Sequence, residues 1–105
     1  MGGKDDPRNH PEARRLRILR RALGFAHSQG AFAEKMGWGQ SEISLWENGR
    51  RQIARNKVMT VHNRVPGIDP LWLTEGRMDN MSMPLRRTIE EAERAEGASD
   101  EEEDI

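Results

Sequence analysis

Between residues 28 and 51 the chain reads SQGAFAEKMGWGQSEISLWENGRR, a run in which amide, hydroxyl and guanidinium groups recur at helical spacing. Gln40 and Ser41 open its second half, Leu45 follows about one turn later, and Arg50 and Arg51 close it. A glutamine amide can bond adenine at both N6 and N7, an apolar side chain suits a thymine methyl, and arginines hold backbone phosphates. Glu42, Ser44 and Asn48 fall on the same outer side, and a glutamate there either accepts from cytosine N4 or repels wrong sites. Upstream, Ser28 and Gln29 begin another segment, where the free amides and positive dipole end of a helix can hold a phosphate. Arg55 and Lys57 add two cations downstream. The chemistry implied is recognition of a double-stranded nucleic acid, with no covalent step.

Those side chains need two short helices and a tight hinge. Ser28 is a good N-cap for a helix through Met36, Gly37 supplies the turn, and a further helix runs over about 40–48 and stops at Gly49. Phe32, Ala33 and Met36 form the inward face of the first of these, Ile43 and Trp46 that of the second, and Trp38 covers the hinge. Before them, His10-Pro11-Glu12 signals a helix start, and Leu16, Leu19 and Leu23 give its stripe up to Gly24. After them, 55–64 reads as a helix with Val58, Val61 and Val65 inward, broken by Pro66-Gly67. Asp69 caps a fifth short helix carrying Leu71, Trp72 and Leu73 and ending at Gly76; Trp72 is either core or a contact between subunits. A narrow stripe of Leu85, Ile89 and Ala92 allows an amphipathic helix over 84–96, followed by an acid run over 100–104. Alternating strand patterns and repeats are missing from the sequence.

The overall charge of −1 conceals a division. Through Arg77 there are fourteen basic residues against eight acidic; from Met78 onward there are three against ten. A basic body suits a polyanionic partner, and an acidic tail usually solvates. The 105 residues hold no cysteine, which excludes disulfides and thiolate metal sites. His10, His27 and His62 lack metal-ligand spacing, so no cofactor or metal is expected. No nucleophile sits with a base and no glycine loop cradles a phosphate, which argues against an enzyme. No signal-peptide pattern opens the chain and no apolar run approaches the roughly 18 residues that span a membrane, so a cytoplasmic location and no membrane partner are expected.

The stretch 28–51 resembles the helix-turn-helix of the Cro and phage-repressor type, the xenobiotic-response-element family. Its pattern, S-Q-x-x-[LF]-A-x-x-[LM]-G-x-[ST]-Q-x-x-I-S-x-W-E-x-G-x-R, lies on these residues with one clear departure, Gly39 in place of Ser or Thr. Ala-Leu-Gly-Phe at 22–25, Val-Pro-Gly at 65–67, Trp72-Leu73 and Gly76 extend the resemblance over about 60% of the chain, toward a bacterial branch. The resemblance implies an all-α, lambda-repressor-like fold of five helices over 11–77. It implies that Gln29 bonds a phosphate and braces Gln40, that Gln40, Ser41 and Leu45 face bases, and that Arg20 pairs with Glu47. The loop 25–27 is about two residues longer than the pattern has, and Gly39 gives up a side-chain cap at a cost of a few tenths of a kcal/mol.

The expected organisation is a disordered arm over 1–10, a DNA-binding domain over 11–77 and a flexible acidic tail over 78–105, partly helical at most. The expected function is that of a transcriptional regulator, a homodimeric repressor on a palindromic operator with half-sites about 34 Å apart. With four to six phosphates neutralised per subunit, log K falls against log salt with a slope of roughly −4 to −5. The competing reading is an antitoxin or interaction adaptor whose acidic tail occupies a basic protein partner.

Overall fold

A computed structural model describes residues 6–103, with side chains described as far as Gly97; the arm over 1–5 and residues 104–105 lie outside the described residues. Within them the fold is all-helical. A 3-10 turn, Pro7–Asn9, precedes α1 (Pro11–Ala22), α2 (Gln29–Met36), α3 (Gln40–Glu47), α4 (Arg55–Arg64), α5 (Trp72–Glu75) and α6 (Met83–Glu103). The first five match the five expected helices, although the fifth is a single turn rather than a helix begun at Asp69. Asp69 instead accepts the N–H groups of Leu71 and Asn80, both at 2.9 Å, and so ties the α5 start to the loop that leads into α6.

The helices are short, and burial rather than intrinsic propensity has to hold them. Leu16, Ile18 and Leu19 of α1, Phe32 and Met36 of α2, Ile43 and Trp46 of α3 and Val61 of α4 all lie in one buried cluster. Trp38, just after the hinge, stands edge-on to Phe32 and Trp46, with ring centroids 5.9 and 5.3 Å apart and planes at 88° in each case. Trp72 is buried in the same cluster within the single chain, which answers the choice left open for it.

The acidic segment departs most from the expected outline. From Met83 the backbone forms a 21-residue helix, and Ile89 and Ala92 join the core, with Ile89 0% exposed. The stripe is wider than its apolar members suggest, because Glu96, one turn after Ala92, is buried on the same face against arginines of α1. Packing therefore runs past Met78 without a break: Met81 is buried, and the N–H of Ser82 donates to the carbonyl of Gly67 at 2.8 Å. Met83, by contrast, is exposed. The acid run over 100–104 lies beyond the described side chains. At the other end, Asp6–His10 is structured, since Asp6 accepts the N–H of Arg8 and the chain turns into α1 at Pro11.

Candidate nucleic-acid interface

Two glycines shape the recognition unit. Gly37 ends α2 at φ 71°, a left-handed conformation that costs side-chain-bearing residues about 1–2 kcal/mol, and it lets α3 fold back across α2. Gly49 ends α3 at φ 70°, and the N–H of Arg50 closes the last turn on the carbonyl of Leu45 at 2.9 Å. The direction in which Arg50 and Arg51 leave the helix is set there.

At the start of α3, glycine at position 39 supplies no side-chain cap, as the departure from the pattern implied. Half of a capping box survives. Glu42 Oε1 accepts the N–H of Gly39 at 3.2 Å, which engages a carboxylate expected to face the groove. Gln40 and Ser41 are exposed on the first turn; Ser44, Leu45 and Asn48 continue the same face and are half-buried. Asn48 Nδ2 donates to the carbonyl of Ser44 at 2.8 Å, so those two residues are partly occupied with each other.

The α2 start keeps its expected cap, because Ser28 Oγ accepts the N–H of Ala31 at 3.1 Å. The N–H groups of Gln29 and Gly30 have no acceptor among the described residues and remain available to an anion. Gln29 itself differs from the implied brace. Its Nε2 donates to Glu47 Oε1 at 3.2 Å rather than to Gln40. Gln40 lies over the α2 N-terminus without that help: a Cβ at Gly30 would stand 3.2 Å from its Oε1.

Behind this face runs a polar network. Arg20 grips Glu47 through Nε to Oε2 at 2.8 Å and Nη2 to Oε1 at 3.1 Å, the pair that the resemblance implied. Its Nη1 donates to the carbonyls of Phe25 and Ala26, both at 2.9 Å, which pins the longer loop between α1 and α2. Arg17 reaches Glu96 Oε1 at 2.8 Å, the carbonyl of Glu47 at 2.7 Å and that of Arg8 at 3.0 Å. Burial pushes the Glu96 carboxyl up, but the hydrogen bond and charge of Arg17, with Arg21 and Arg14 behind it, hold it below its ordinary value of 4.5.

The basic count therefore divides by use. Arg15 bonds the carbonyl of Leu73 and Arg64 that of Lys35, each at 3.1 Å, so with Arg17 and Arg20 they are engaged within the fold. The side chains of Arg50, Arg51, Arg55 and Lys57 make no hydrogen bond or ion pair with any described residue. Of these, Arg50, Arg51 and Arg55 are exposed and Lys57 is half-buried. Sequence reasoning singled out these four and missed Arg17, Arg64 and Glu96. The signal for Glu96 was its spacing from Ile89 and Ala92, which places it on the buried face.

Comparison with known families supports a helix-turn-helix reading of this region. Residues 13–60 match a family model described as a helix-turn-helix domain. The matched span takes in most of α1, all of α2 and α3 and the start of α4, and it supports DNA binding. Comparisons with curated proteins and with solved structures return no match. Among the described residues, no helix is long and apolar enough to cross a membrane, and no group of three or more His, Asp or Glu is placed to hold a metal ion.

Proposed function

We propose that the chain is a sequence-specific transcriptional regulator of the Cro and phage-repressor type, a repressor that acts as a homodimer with α3 in the major groove. One observation carries the reading: exposed Gln40 and Ser41 at the start of α3 and unpartnered Arg50 and Arg51 at its end flank a helix whose opposite face is core. In this arrangement Gln40, Ser41 and Leu45 read base edges, while Gln29, Arg50, Arg51, Arg55 and Lys57 hold phosphates. Ser28, Glu42, Ser44 and Asn48 complete the face, although each is engaged locally before DNA arrives. The dimer reading draws support from Met59 and Leu71, large apolar side chains that are 52% and 39% exposed beside a groove of about 960 Å³. Arg55, Glu12 and Glu75 rim that groove, so a two-fold arrangement can set opposite charges against each other.

Selection from a random duplex pool tests the function, because operator symmetry reports both the site and the dimer. The expected result is a palindrome bound more than tenfold over scrambled DNA. Recovery of no preferred sequence overturns the reading. Gln40→Ala is expected to relax the preference at one base position, whereas Arg50→Ala weakens all duplexes alike.

A further inference from the structure

The C-terminal end of α3 is held by parts of the chain outside the helix-turn-helix. The carbonyl of Glu47, among the last four of α3 that lack an intrahelical partner, accepts Arg17 Nη1 at 2.7 Å. Arg17 is 7% exposed, and its Nε is spent on Glu96 of α6 at 2.8 Å, with Arg21 Nη2 3.6 Å from the other oxygen of the same carboxylate. The same Nη1 also bonds the carbonyl of Arg8 in the N-terminal turn. That turn presses against Gly49 so closely that a Cβ there would collide with the carbonyl of Pro7. One buried guanidinium thus joins α1, α6, the N-terminal turn and the last residue of α3, three positions before Arg50, whose side chain, like that of Arg51, is unpartnered.

We infer that Glu96 is a positioning residue for DNA recognition: by fixing Arg17 it sets the end of α3 and the direction in which Arg50 and Arg51 leave it. The inference rests on the DNA-binding reading above. Its physical basis is that a flexible, four-bonded side chain such as arginine keeps one rotamer only where its donors are satisfied on both sides. Without Glu96, Arg17 loses its partner on the α6 side and is free to leave the Glu47 carbonyl. The acid on α6 acts on the DNA face at a distance, through one guanidinium, and makes no contact with DNA.

The test compares Glu96→Ala with Ile89→Ala, which loosens α6 against the core without touching Arg17. Both are measured at a temperature where circular dichroism finds each fully folded. The probes are the duplex selected by the wild-type chain and a scrambled duplex of equal length. Glu96→Ala is expected to lose about tenfold in affinity for the selected duplex and little for the scrambled one, while Ile89→Ala keeps the wild-type ratio. Glu96→Gln, which retains an acceptor oxygen for Arg17 Nε, recovers most of the loss. Equal ratios for Glu96→Ala and Ile89→Ala, with selection by the wild type intact, overturn the positioning role alone. A wild-type chain that selects no sequence overturns the DNA-binding reading and this role with it. If Glu96→Ala does not fold, hydrogen exchange in Glu96→Met, which keeps the side-chain bulk but offers Arg17 no oxygen acceptor, decides. Exchange at the Arg50 N–H, bonded to Leu45, is expected to quicken while the α2 amides hold, and unchanged exchange at Arg50 overturns the role.

Discussion

Arg20 and Glu47 face each other across α1 and α3 in a two-pronged ion pair, with contacts of 2.8 and 3.1 Å and side chains 16% and 4% exposed. Gln29 adds a third donor to the same carboxylate, so the first residue of α2 is fastened to the last turn of α3 through Glu47. Removal of one partner leaves the other charge buried. Arg20→Met is therefore expected to cost about 3–5 kcal/mol, read as a fall in the urea midpoint. Arg20→Met with Glu47→Leu should cost clearly less than the two single changes added together, because no unpaired charge then remains. Strict additivity would show that the pair contributes nothing as a pair.

Acid should loosen the fold from the α6 side. Glu96 is held below its ordinary 4.5 chiefly because Arg17 outweighs the effect of burial, and Asp69 is held below 3.8 by the N–H groups of Asn80 and Leu71. A carboxylate with a depressed folded pKa contributes stability that is complete above its unfolded value and is lost as pH falls through the folded one. The melting temperature is thus expected to be level from pH 7 to about 5 and to decline below about 4.5. Glu96→Gln lowers the plateau and flattens the decline. Melting curves across that range check both, and an unchanged acid limb in Glu96→Gln would assign the decline to other groups.

Gly49 carries two demands at once. Its φ of 70° is unfavourable for any residue with a side chain, and the carbonyl of Pro7 occupies the space that a Cβ would need. Gly49→Ala is expected to lose more than about 2 kcal/mol, with the backbone strain supplying about 1–2 of it. In a chain that starts at residue 10, only the strain should remain. Denaturant titrations of both chains make the comparison, and equal losses would mean that the N-terminal turn does not press on α3.

The elements were largely legible because their signals are local: capping by Ser28, glycines at 37 and 49, and apolar residues at helical spacing. The outer face of the helix-turn-helix was reachable by subtraction, since Phe32, Ala33, Met36, Ile43 and Trp46 had to face inward. Two things were hidden, and both depend on what a charge meets in three dimensions. Glu96 reads as a surface acid in an acidic segment, so the stripe of α6 seemed too narrow to dock; across 79 positions of sequence nothing signals Arg17 as its partner. Likewise an arginine looks the same whether it caps a carbonyl or awaits a phosphate. The basic count in the first 77 residues therefore overstated the cations free to meet DNA.

That last distinction can be measured by salt dependence. Arg50 and Arg64 are both exposed arginines near the helix-turn-helix, but Arg64 Nη1 donates to the carbonyl of Lys35 at the end of α2, and Arg50 has no such partner. Each phosphate contact contributes about 0.9 to the slope of log K against log salt. Arg50→Ala is thus expected to reduce the slope by about 1, and Arg51→Ala likewise. Arg64→Ala removes the same formal charge yet should leave the slope unaltered and instead lower the melting temperature, because the α2 terminus loses its donor. Titrations at four or five salt concentrations on one duplex separate the cases. Equal slope changes at 50 and 64 would mean that overall charge, and not the placement of unpartnered arginines after α3, governs the grip on DNA.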